Sequence, residues 1–147
     1  MDRSKRPFVL WAGISLLVFL CLVSAGVAKT KKAAPPKQVL AVINPTNGET
    51  VDCEYTAQGN GARSTDTVWF VIHPFSASGY WVQNKPSVNK GGTFQALVYF
   101  GRKGMDVGQK FEIRAVRNPQ KPLEAGMELS DWPKGEELSD TVTVTRE

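Results

Sequence analysis

The chain has 147 residues, 22% of them charged, a formal net charge of +4, one histidine and two cysteines. The charge is unevenly placed. Seven of the 18 basic residues and one of the 14 acidic residues precede Gln38, so residues 38–147 carry 11 against 13, a net of −2. A nucleic-acid binder shows a basic face on its folded domain, so that class is set aside. One histidine with one cysteine beyond the leader cannot complete a closed zinc site.

Taken in chain order, Met1 to Pro7 carry Arg3, Lys5 and Arg6, and Phe8 to Ala28 then run 21 residues without a charge. A basic start, an apolar stretch and small residues near its end make an export signal, with cleavage acceptable after Ala25 or Ala28. Cys21 invites lipidation, but bulky Leu20 stands where a small residue is needed. A bilayer core is spanned by about 20 apolar residues, so residues 8–28 can also serve as an uncleaved hydrophobic anchor helix. Lys29, Lys31 and Lys32 would then lie against anionic headgroups. Cleavage is preferred to a retained anchor, and both stay open. Either way the remainder is exported across the cytoplasmic membrane, to act in the periplasm or outside the cell, soluble or tethered by one N-terminal helix. Residues 29–37 form a Lys/Pro-rich linker that has nothing to pack with. Residues 38–147 are the size of one domain with one core.

That domain reads as strands. Gln38–Ile43 is β-branched and ends at Asn44-Pro45-Thr46-Asn47-Gly48. Glu49–Ala57 alternates, with Val51, Cys53 and Tyr55 on one face, which predicts a half-buried strand. Gln58–Asp66 is Gly-rich and polar and predicts a loop. Thr67–His73 is the most strongly β stretch, and Tyr80–Gln83 is a shorter candidate. Thr93–Phe100 places Phe94, Ala96, Val98 and Phe100 together; Lys110–Val116 alternates again, and Thr141–Thr145 closes the domain. Leu123–Leu129 has some helical character, interrupted by Gly126. Seven short strands and no persuasive helix predict an all-β fold, a two-sheet antiparallel sandwich, with an up-and-down barrel as the competing architecture.

These elements resemble the immunoglobulin-like sandwich modules of bacterial secreted and cell-envelope proteins. The resemblance rests on the Asn44–Val51 opening, the Val68–Ile72 strand, Tyr80–Gln83, Gly92-Thr93-Phe94 and Gly108–Val116. It covers most of residues 38–147. It implies an immunoglobulin-like topology and a module that binds, spaces or presents, without a shared catalytic set. Cys53 and Trp69 look like the first two members of a Cys-Trp-Cys core, but residues 110–117 hold no cysteine, so the inter-sheet disulfide is missing. With the leader removed Cys53 is the one thiol; its place on an alternating strand favours burial over pairing between chains.

The chemistry-bearing residues are few. His73 ends a strand, and a triad would need a serine and a carboxylate beside it; a strand-end hydrogen bond is the simpler reading. Glu128, Asp131, Glu136 and Asp140 match no calcium-loop spacing, and no metal or cofactor is expected. The aromatics carry the functional signal. Trp69 lies on a strand apolar on both faces, so something must cover the second face, either the 74–88 segment folding back or a partner. Tyr80 and Trp81 sit in polar company with Gln83, and Trp132 sits in the long 118–140 connection. Trp81 and Trp132 are expected at different sites unless 74–88 bends back. The expected binding residues are therefore Tyr80, Trp81, Gln83 and Trp132. The expected role is a non-enzymatic binding or scaffolding module that engages an envelope protein, using the 74–88 segment and an exposed sheet edge for strand addition. Polysaccharide binding, with Tyr80 and Trp81 as a stacking platform, is the alternative, and a small hydrolase using His73 is the remote one.

Overall fold

The computed structural model describes residues 38–147. The expected signal or anchor helix and the linker lie outside the described residues. Among the described residues there is no helix, and none long and apolar enough to cross a membrane. Eleven strands form two sheets. They are β1 (Ala41–Asn44), β2 (Thr50–Val51), β3 (Glu54–Asn60), β4 (Val68–Pro74), β5 (Tyr80–Val82), β6 (Ser87–Val88), β7 (Phe94–Tyr99), β8 (Lys110–Pro119), β9 (Glu128–Leu129), β10 (Gly135–Leu138) and β11 (Val142–Arg146).

The smaller sheet has the order β1-β3-β7-β6 and the larger one β2-β11-β8-β4-β5-β9, with β10 also paired to β8. Every pairing is antiparallel except β2 with β11, which is parallel. β10 and β11 use successive stretches of one edge of β8, residues 116–119 and 110–113. At the break between them the Ser139 hydroxyl takes the Ala115 N–H at 2.9 Å and the Ser139 N–H bonds the Ala115 carbonyl at 2.8 Å.

The sheets share a sandwich-like core built by alternation. Phe70 and Ile72 of β4, Ile113 and Ala115 of β8, and Phe94, Ala96 and Val98 of β7 all point into it. Phe70 packs on Phe94 with ring centroids 5.3 Å apart, and Phe100 meets Phe111 at 5.9 Å.

Three expectations change. Residues 49–57 are two strands, because the chain crosses between the sheets at Asp52-Cys53: β2 belongs to the larger sheet and β3 to the smaller. Residues 58–60 are strand and not loop, and Gly59 is there because the Phe94 ring occupies the space a Cβ would need. Finally, Cys53 and Trp69 do not open a shared core. Cys53 is half-buried at the crossing with its thiol 3.5 Å from the Gly101 carbonyl oxygen, while Trp69 packs on the far face of β4.

That far face carries a second core. Trp69, Val71, Val82 and Val116 are covered by Leu123, Met127, Leu129 and Trp132 of the 118–134 connection. So the connection, and neither a folded-back 74–88 segment nor a partner, covers the second apolar face of β4.

The register also orders the ends. β3 runs from Glu54, level with Tyr99, to Asn60, level with Ala41. At about 3.3 Å per residue the domain's first residues lie roughly 20 Å from the Tyr99 end. Arg146 pairs with Val51 near that far end, where its carbonyl accepts the Gly108 N–H at 2.7 Å.

Candidate functional site

Tyr80 and Trp81 are neighbours in sequence but turn to opposite faces, as successive strand residues do, while Gln83, two residues on, stays with Trp81. Tyr80 turns to the second core. Its ring stacks on His73 at 4.2 Å with planes 10° apart, and it meets Trp132 edge-on at 4.9 Å. The Arg114 guanidinium lies over the Trp132 ring at 5.3 Å, and its Nε donates to the Ser139 carbonyl at 2.8 Å. Burial holds the Arg114 pKa below its ordinary value, with Asp140 and Glu112 acting against that shift. Tyr80 and Trp132 thus come together, half-buried, and Trp81 stays apart from them.

His73 belongs to the same cluster. Its Nδ1 is 3.0 Å from the Gly79 carbonyl oxygen; a carbonyl only accepts, so that nitrogen carries the proton. The bond pins the turn between β4 and β5. Across the ladder His73 pairs in register with Glu112.

Trp81 turns the other way, onto an open groove of about 910 Å³. Ile72, Val82 and Phe111 line it, and Trp81 (38% exposed) and Tyr99 (43% exposed) stand at it. Its walls come from residues 74–84, the loop after β7 and the Ala125-Gly126 turn. The two loops that wall it also carry Phe75, Met105 and Val107, all exposed large apolar side chains. Asp106 holds its loop closed by accepting the Arg102 N–H at 2.7 Å. A second, smaller pocket of about 220 Å³ lies on the outer face of the smaller sheet beside Ile43, Gln58 and Gln95.

Gln83 lies in the groove wall but is only 6% exposed, and both ends of its amide are engaged. Its Nε2 donates to the Trp81 carbonyl at 3.0 Å and its Oε1 accepts the Tyr99 N–H at 2.8 Å. It therefore ties the larger sheet to the smaller. Tyr99 was not among the expected binding residues. Its signal was the alternation of 94–100, which turns Gln95, Leu97 and Tyr99 away from the core.

The polar cluster at the opposite end is structural. The Arg117 side chain, 5% exposed, donates to the Gly61 carbonyl at 2.8 Å, to Glu137 at 2.6 Å and to Glu136 at 3.2 Å. Asn118 donates to Asp66 and Glu136. Among the described residues no group of three or more His, Cys, Asp or Glu side chains is placed to hold a metal ion. No protein-family model matches the chain, and no curated protein matches it.

Proposed function

We propose that residues 38–147 are an immunoglobulin-like binding module, non-enzymatic, exported and either released or held at the membrane by residues 8–28, which grips an envelope protein through the groove beside Trp81. The observation that carries this reading is the groove itself: an apolar floor with an exposed tryptophan and tyrosine at one end of the domain. Concave apolar sites with aromatic anchors are where binding energy concentrates. The strand order supports the immunoglobulin-like assignment. β1-β3-β7-β6 has the order of the ABED sheet of such sandwiches and β11-β8-β4 that of the GFC sheet, with β5 beyond β4 where variable-type sandwiches add C′. The 74–84 stretch of the groove wall supports a role for the 74–88 segment. The partner is a protein that offers apolar side chains to the floor and to the Phe75, Met105 and Val107 collar.

The polysaccharide alternative keeps Trp81 but loses Tyr80, which faces the other core, so Tyr99 would have to complete any stacking platform. The hydrolase alternative finds His73 outside the groove lining, stacked on Tyr80. The test is photo-crosslinking of the full chain in its own cells, with benzophenone amino acids placed singly at positions 81, 99, 56 and 132. Discrete protein adducts at 81 and 99 but not at 56 or 132 are expected. Adducts of equal yield at all four positions, or none at the groove, refute the reading. Saturable quenching of Trp81 fluorescence by peptidoglycan fragments would transfer the site to the polysaccharide alternative.

A further inference from the structure

The outer face of the smaller sheet carries a pocket that the groove reading does not use. β3, β7 and β6 lie side by side there, and the register sets Gln58 opposite Gln95 and Gln95 opposite Ser87. Alternation turns these three side chains outward, since Ala57, Val88, Phe94 and Ala96 turn to the core. Neighbouring strands are about 4.8 Å apart, so two carboxamides and a hydroxyl form one short row along the pocket of about 220 Å³. All three are exposed, and none of the three side chains bonds to another of the described residues. Asn89, which closes the pocket at the turn between β6 and β7, differs. Its Oδ1 accepts the Gly91 and Thr93 N–H groups at 2.9 and 3.1 Å, and its Nδ2 donates to the Thr93 hydroxyl. The wall is therefore fixed by its own bonds, and the row is left unpaired.

We infer that this pocket takes a single neutral sugar ring. The lining decides the class of ligand. No charged side chain lines the pocket, so an anion or cation would lose water without gaining a counter-charge. An apolar ligand would strip water from both amides and return no hydrogen bond. A hydroxyl both donates and accepts, as a carboxamide does, so a polyhydroxylated ring satisfies the whole row. Ile43, 43% exposed, offers apolar surface to the C–H face of that ring. The volume lies below that of drug-sized sites, which limits the occupant to about one ring. Neutral hydrogen bonds replace those to water at small net gain, so the affinity should be millimolar. The pocket shares no lining residue with the groove beside Trp81.

The test is nuclear magnetic resonance of the full chain in a detergent without a sugar headgroup, following the side-chain amide signals. The probes are glucose and N-acetylglucosamine, with cyclohexanol as an apolar six-membered ring. Saturable shifts of the Gln58 and Gln95 amide signals with at least one sugar, and none with cyclohexanol, are expected. Gln58→Ala and Gln95→Ala should each weaken that binding at least about fivefold with circular dichroism unchanged. Thr56→Ala, next along the same face, should leave it as it was. No saturable shift up to tens of millimolar sugar, equal shifts with cyclohexanol, or binding that survives both glutamine substitutions overturns the inference. Shifts at the Trp81 indole alone would overturn it too and would place the sugar in the groove.

Discussion

Arg117→Ala should be among the most damaging single substitutions in the domain. The guanidinium is almost fully buried among Glu137, Asp66 and the Gly61 carbonyl. Removing it leaves the Gly61 oxygen without its donor and places the Asp66 and Glu137 carboxylates, 4% and 15% exposed, without their shared cation. Breaking a buried pair from one side costs about 3–5 kcal/mol. For a domain of this size that is a drop in Tm of roughly 12–25 °C. Glu137 adds a second link, because its Oε1 accepts the Leu40 N–H at 3.1 Å and so fastens the start of β1 to β10. Glu137→Gln preserves that acceptor and removes the charge. The double variant Arg117→Ala/Glu137→Gln should therefore recover about 1–3 kcal/mol of the loss as coupling energy. Urea unfolding followed by circular dichroism at neutral pH reads all three variants, with the m-value unchanged if only stability moves. An Arg117→Ala variant within about 1 kcal/mol of wild type would refute this account of the cluster.

The two tryptophans of the expected site should separate in the same assay. Trp132→Ala, which uncovers Tyr80 and the second core, should cost about 2–3 kcal/mol, whereas Trp81→Ala should cost under about 1 kcal/mol. Equal losses would mean that Trp81 is core and not anchor. Gly59→Ala forces a methyl into the Phe94 ring and against the Ala41 carbonyl, and should destabilise by about 1–3 kcal/mol through overpacking; a neutral result would show that Phe94 can move. Acid should unfold the domain through three carboxylates held below their ordinary range. Glu49 is lowered first by the Thr46 backbone N–H and then by Tyr55. Burial pushes Asp66 up, but donors from Arg63 and Asn118 outweigh it, and the Asn118 amide is the main cause at Glu136. Groups depressed in the folded state stabilise it above the unfolded carboxylate range, and that stability is lost as pH falls through the folded pKa values. The urea midpoint should hold down to about pH 4 and decline below it, and Glu49→Gln should flatten the decline.

Alternation made much of the fold legible. The patterns at 93–100 and 110–116 predict β7 and β8 and the face each turns to the shared core, though Val116 on the other face of β8 is buried too, in the second core. The same rule misled at 49–57, because Val51 and Tyr55 keep a period of two while the chain changes sheets between them. Gly59 looked like loop composition because its cause, the Phe94 ring, lies 35 residues away in sequence. The 118–140 connection held no periodicity to announce β9 or β10, and its apolar residues are spaced to cover a sheet face that sequence alone cannot assign to it. At the site, the strand that contains Tyr80 and Trp81 already implied opposite faces. Which of the two met Trp132 depended on how that connection packs.

The parallel pairing of β2 with β11 bears on load. A pull at residue 38 with the groove end held would drag the first strands backward along their own axes. The bonds from Gly48 N–H to Thr143, Thr145 N–H to Glu49 and Glu147 N–H to Val51 lie across that direction and are strained together. They must rupture as a set, as must those of β1 with β3, so tension meets the domain in its shear geometry and not as a zipper opened one bond at a time.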